Sequence, residues 1–414
     1  MVNLDTRTVA LHPLTFVDEG DEVVVGRADI ESYAVLSTDG AAVLRHLGDG
    51  MTPAQVASWY QQTYDEALDI ADFLVQVEEL GFLREDPPTD PQAGPQPHTK
   101  QAAASDELLR FQRTASLVYS RGGALVAAII VAAAVWSMVT KPETRPTATH
   151  VFFTSYLVLI PLVMLAVELP LMYVHELSHV LAGRRVGIKS RVGVGRRLYF
   201  VVFQTTLTGV YSVPRRQRYL IFLAGMITDA MVLCTLVLIG AATLDGPARL
   251  IGRIAVAAAY FTAIRFVWQF LFFLETDMHH VLSSLLKITD LKGMTLSVLR
   301  ARLRRRPINP SYTPHERAVL RWFAPATVIG IAATLCGGLV TIGPLVVTYI
   351  GRVAEGVGTG AASTQFWDAV ISLAMIIGQF SLVAALALGG RAKTRAAARN
   401  RPAARETAPA TSQL

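Results

Sequence analysis

The chain has 414 residues, 52% of them hydrophobic and 17% charged, with a mean hydropathy of +0.40. A soluble domain carries roughly a quarter charged residues, so this composition excludes a purely soluble enzyme, a disordered chain and a disulfide-stapled scaffold. It fits one soluble module joined to a membrane bundle. The only two cysteines, Cys234 and Cys336, lie in separate apolar runs, which excludes a Cys-rich metal site.

The net charge of +6 conceals an asymmetry. Residues 1–90 hold four basic and eighteen acidic side chains, so the head is acidic and the remainder strongly basic. No basic start followed by an apolar run opens the chain, and Asp18, Glu19, Asp21 and Glu22 come early. The reading is an N-terminus that stays in the cytosol. An acidic head also argues against nucleic acid, because phosphate contacts need Lys and Arg.

Thr15–Val25 alternates around Glu19-Gly20-Asp21, the pattern of a hairpin. A helix is expected from Ser37-Thr38-Asp39 to Leu47, a second from Thr52 and Pro53 to about Tyr60, and a third from Asp65 to Leu80. Phe82-Leu83 reads as a returning strand. Together these predict a small winged-helix (α+β) domain over 1–85. Residues 86–115 read as a Pro-rich linker.

Six apolar segments follow, at about 122–140, 151–174, 219–243, 250–274, 318–350 and 366–389, each near the 20 residues that cross a bilayer. Pro161 and Pro170 predict a kink or break in the second. The fold class is therefore mainly α: a polytopic membrane helix bundle over 116–390, with the winged-helix head before it and a disordered basic tail over 391–414. Arg and Lys cluster between spans two and three, between four and five, and after six. By the positive-inside rule this places both termini in the cytoplasm and the chain in the cell membrane as a multi-pass protein. The β-prone stretch Val186–Val213 is a candidate hairpin for holding an extended peptide, or else an interfacial loop.

The sharpest chemical signal is His175-Glu176-Leu177-Ser178-His179, at the cytosolic end of the second span. Residues four apart share a helix face, so both imidazoles can bind one Zn²⁺. Glu176 beside them can take a proton from a water at the metal, as a general base in a zinc hydrolase does. Five-residue patterns of this kind also arise by chance. Ionisable groups at the end of a membrane helix are costly unless used, which favours function.

A catalytic zinc takes three protein ligands. Asp277, just past the fourth span, is the preferred third ligand, and His280 one turn on is the alternative. Glu168 lies two turns before His175 and needs a partner within the membrane; Arg265 in the fourth span is the candidate, with modulation of the metal site as the other role. Asp229 in the third span is a candidate for positioning substrate or a ligand, or for packing.

His175-Glu176-Leu177-Ser178-His179, then Leu223-Ala224-Gly225-Met226-Ile227-Thr228-Asp229, then Thr276-Asp277, resemble in order the site-2-protease family of membrane zinc metalloproteases. The likeness spans about 150–290. It implies zinc held by His175, His179 and Asp277, with Glu176 catalytic. The family's Gly-Pro is Gly225-Met226 here, and the glycine after its metal-binding Asp is Met278. Gly40–Leu44, Gly50-Met51-Thr52, Phe73-Leu74 and Leu80–Leu83 resemble the PqqD-type peptide-recognition domain, which binds leader peptides of ribosomally made, modified peptides as an added strand. The pair most resembles the intramembrane metalloproteases of daptide-type peptide biosynthesis. This implies a leader-bearing precursor as substrate and the pathway's modifying enzymes as partners. The rival readings are a regulated protease cutting a membrane-bound regulator, and a non-catalytic export or immunity component.

Overall fold

The computed structural model describes residues 8–84 and 111–399, apart from Asp21, Ala28, Glu31, Leu198, Tyr199, Gly209, Thr289 and Ser311. The N-terminal segment builds a three-stranded antiparallel sheet, β1 (Thr15–Asp18), β2 (Glu22–Arg27) and β3 (Ser32–Ser37), in the order β1-β2-β3. Phe16 pairs with Val25 and Val24 with Val35. Glu19-Gly20 forms the first turn, with Gly20 at φ +80° where a side chain would be strained.

Three helices follow: α1 (Thr38–Gly48), α2 (Pro53–Tyr64) and α3 (Ile70–Glu79). The Thr52 side chain accepts from the Gln55 N–H while the Gln55 side chain accepts from the Thr52 N–H, a reciprocal cap that starts α2 with Pro53 behind it. The third helix starts at Ile70 rather than Asp65, because Asp65 turns left-handed at φ 56° and the Asp69 side chain caps the new start. Leu83 bridges back to Leu11. Val23 and Val25 from the sheet, Leu44 and Leu47 from α1, Val56 from α2 and Phe82 close one core. Strand β3 was not foreseen: no Gly, Pro or Asn marks a turn between it and β2, and pairing with β2 decides it.

The rest of the molecule is mainly helical. A helical stretch at 111–118, inside the segment expected to be linker, leads to α4 (Arg121–Thr140). Then come α5 (Leu159–Arg185), the hairpin β4 (Lys189–Arg197) and β5 (Phe200–Thr208), α6 (Arg215–Thr243) and α7 (Arg249–Trp268). The short helices α8 (Asp277–Leu285) and α9 (Leu291–Leu303) precede α10 (Pro314–Gly358) and α11 (Thr364–Arg399). Six of these, α4, α5, α6, α7, α10 and α11, are long and apolar enough to cross a membrane. Their apolar side chains are widely exposed, as with Leu125, Trp136, Leu339 and Phe380, which is the surface a lipid phase would cover.

Pro161 falls in the first turn of α5, where its missing N–H costs nothing. The predicted break therefore comes earlier, as the irregular stretch before Leu159, and Pro170 lies inside an unbroken helix. The fourth span ends at Trp268, short of the expected 274. The last helix runs on to Arg399, so the first nine residues of the tail expected to be disordered are helical here; the rest of the tail and most of the linker lie outside the described residues.

Small residues set the helix spacing. Ala255, Ala257, Ala258 and Ala259 of α7 are buried, and a Cβ on Gly240 of α6 would stand 2.6 Å from Val256. Close backbone approach of this kind is how apolar helices associate. Opposite ends of the bundle are pinned separately. At one, Lys141 pairs with Asp245 at 3.1 Å, and the Asp368 carboxylate accepts from the Leu157 and Val158 N–H groups. At the other sit the end of α5, the start of α6, α8 and the N-terminal head. There Glu19, buried, pairs with Arg215 and with Arg218 (2.9 Å to the latter), and Glu22 pairs with Lys287 at 3.0 Å.

Candidate metal centre

His175 and His179 project from one face of α5, one turn apart, and both are buried. Each ring is anchored through Nδ1. His175 Nδ1 lies 3.0 Å from Asp229 Oδ2 of α6, and His179 Nδ1 lies 2.8 Å from the Ile221 carbonyl oxygen. A carboxylate or a carbonyl can only accept, so both rings carry a proton on Nδ1, which leaves Nε2 as the atom of each ring that can ligate a metal.

Both Nε2 atoms face the same point. They are 3.3 Å apart, and Asp277 Oδ2 lies 3.3 Å from one and 3.4 Å from the other. That oxygen is buried and has no hydrogen-bond partner. Three potential ligand atoms thus converge on one small volume, an arrangement that needs positive charge between them, as ring protons or a metal ion. His175, His179 and Asp277 form a group that could hold a metal ion. Burial alone would raise the Asp277 carboxyl, but the positive charge that the two facing imidazoles take on when no metal is bound overcomes that and holds it well below the usual carboxylate range.

The backbone makes room for the cluster. Gly225 on α6 faces the two rings, and a Cβ there would stand 2.4 Å from His175 Nε2 and 2.5 Å from His179 Nε2. Only glycine allows α6 this close. Asp277 is the first residue of α8, which follows a sharp turn at Glu275 in the left-handed region (φ 55°). The turn precedes the aspartate, so the position held by Met278 is already helical and has no need of glycine. Gln269 Oε1 accepts the Asp277 N–H at 3.1 Å, tying the ligand to the end of α7.

The remaining candidates separate cleanly. His280 is not in the cluster and stacks on Phe222; His279 Nδ1 is bonded to the Phe272 carbonyl at 2.6 Å. The side chain of Glu176, next in sequence to His175, is half-buried, and its Oε2 accepts from the Thr205 hydroxyl of β5 at 2.7 Å. Glu168 Oε2 accepts from Arg265 Nη1 at 2.6 Å, and Arg265 also reaches Asp229 through Nε and Nη2.

Sequence reasoning noted Gly225 only as part of a motif and missed its packing against the rings, and it missed the bonds from Thr205 to Glu176 and from Arg265 to Asp229. Gly225 carried a usable signal, since a glycine inside an apolar helix marks close approach. Thr205 carried none: its role depends on how the hairpin folds back onto α5.

No protein-family model, no curated protein and no solved structure matches this chain, so the reading of the centre stands on its geometry and donor chemistry.

Proposed function

We propose that this protein is a membrane-embedded zinc endopeptidase that removes the leader from a ribosomally made, modified precursor peptide. The single observation that carries the metal is the donor triangle of 3.3, 3.3 and 3.4 Å. Ligands about 2.0–2.1 Å from a tetrahedral zinc are separated by about 3.3–3.4 Å. Two imidazoles and a carboxylate leave the fourth position open, as catalytic zinc sites do.

When bound, zinc supplies a Lewis acid that polarises the scissile carbonyl and makes water acidic enough to attack near neutral pH. The chain's own residues do the rest. Glu176 accepts the proton of the attacking water and returns it to the leaving amine nitrogen. The Thr205 hydroxyl holds the Glu176 carboxylate in place. Asp229 and the Ile221 carbonyl fix the two rings so that both Nε2 atoms face the metal.

The β4–β5 hairpin leaves the end of α5 directly after the histidines, and its strand β5 touches Glu176 through Thr205. An extended peptide added to this hairpin would run past the catalytic carboxylate. The head, read as a winged-helix domain of peptide-recognition type, is held at the same end of the bundle by Glu19 and Glu22. Leader recognition and cleavage would then share one side of the membrane, the cytoplasmic one if the basic segments follow the positive-inside rule.

The test is Glu176→Ala in the full-length protein. The variant is expected to bind zinc like the parent and to lose cleavage of a leader-bearing precursor by about 10²–10⁴-fold. Retained cleavage refutes the assignment of Glu176. A folded parent that takes up no zinc refutes the enzyme reading in favour of a non-catalytic peptide carrier, and cleavage confined to membrane-anchored substrates favours a regulated intramembrane protease.

A further inference from the structure

Behind the ligand cluster, Asp229 belongs to a larger group of charges. Glu168 on α5, Asp229 on α6 and Arg265 on α7 meet inside the span region, and their side chains are 17%, 0% and 18% exposed. The Arg265 fork donates Nη2 to Asp229 Oδ1 at 2.8 Å, with Nε 3.1–3.2 Å from both Asp229 oxygens, and Nη1 to Glu168 Oε2 at 2.6 Å. The second Asp229 oxygen is the one that accepts from His175 Nδ1. One guanidinium therefore joins three helices and ends, through Asp229, on the back of a metal ligand.

The charges have a consequence. Asp229, Glu168 and Asp277 carry three negative charges against the single positive charge of Arg265. Buried charge without a counterion is costly, and a divalent cation at the donor triangle would offset the excess negative charge. Removing Arg265 leaves Asp229 fully buried, without its fork, and free to turn away from His175. A point charge such as lysine cannot grip two carboxylates in one plane as a guanidinium does.

We propose that Arg265 is a positioning residue for the metal. It holds Asp229 against His175 Nδ1, Glu168 holds it in turn, and the chain of contacts sets how tightly the centre binds a divalent ion. This rests on the metal reading of His175, His179 and Asp277, and it goes beyond it by assigning a role to a residue that touches neither metal nor substrate.

The experiment measures zinc affinity of the full-length protein by competition with a chromophoric chelator, and records the visible spectrum of the cobalt-loaded form. Asp229→Asn is expected to weaken zinc binding by about 10–100-fold, the usual effect of losing a partner behind a metal-bound histidine. Arg265→Gln is expected to weaken it comparably, Arg265→Lys by less, and each with a shifted cobalt spectrum. The decisive readout is the double variant. In the Asp229→Asn background, Arg265→Lys should add less than a twofold further loss, because Arg265 acts through Asp229.

Arg265→Gln leaves a buried carboxylate unpaired; if that variant does not fold, Arg265→Lys alone and combined with Asp229→Asn carries the test. Unchanged zinc affinity and cobalt spectrum in folded Arg265→Lys and Arg265→Gln overturn the proposal while leaving the metal centre intact, as does a full additional loss in the double variant. A parent protein that binds no zinc overturns the metal reading itself, and this proposal with it.

Discussion

Gly225→Ala isolates the packing that lets the metal centre exist. Alanine is a better helix former than glycine by about 1 kcal/mol, so on propensity alone the change would strengthen α6. The added Cβ would instead stand 2.4 Å from His175 Cε1 and Nε2 and 2.5 Å from His179 Nε2, where ordinary contact begins at 3.4 Å. The rings or the helix must yield by about 1 Å, and metal–ligand distances tolerate only about ±0.2 Å. Neither ring can rotate freely, because Asp229 and the Ile221 carbonyl hold their Nδ1 atoms. The expected result is a folded protein with zinc affinity reduced by more than about 100-fold, measured by chelator competition. Gly338→Ala in α10, where nothing lies within 4 Å of the new methyl, serves as the control and should bind zinc like the parent. Parental zinc affinity in Gly225→Ala would show that the three donors do not converge as described.

Two further pairs of variants follow from the contacts. Asp277→Asn should abolish stoichiometric zinc binding while His280→Ala leaves it within about twofold, because His280 stacks on Phe222 outside the donor triangle; metal analysis of the two purified variants decides between them. Glu19→Ala leaves Arg218 buried without its carboxylate, a change that costs about 3–5 kcal/mol for a buried pair. It should release the head from the bundle, seen as loss of a short cross-link between cysteines placed at Val35 and Ser284, which line one cavity there. Glu22→Ala removes a half-exposed pair with Lys287 worth about 0.2–1 kcal/mol and should leave that cross-link in place.

Much of this molecule was legible one residue at a time. The six apolar helices follow from composition and run length, because a bilayer-spanning helix needs about 20 apolar residues wherever it sits. The head's helices were readable from Thr52-Pro53 and Gly81, since caps and stops are local chemistry. His175 and His179 announced themselves by a spacing that puts them on one face of any helix. The irregular stretch before Leu159 was displaced from the expected kink because a proline in the first turn of a helix is harmless.

What only the tertiary structure decided are the relations between helices. The sequence preferred Asp277 over His280 as a ligand but left both open; the left-handed turn at Glu275 and the bond from Gln269 aim the first at the imidazoles, and the stacking on Phe222 carries the second away. The Arg265 fork needs α5, α6 and α7 packed at once, and Thr205 needs the hairpin folded back on α5. Periodicity and propensity act within a few residues along the chain. A metal centre is built from groups about a hundred residues apart, and only the packing of small residues between helices brings their donor atoms within bonding reach.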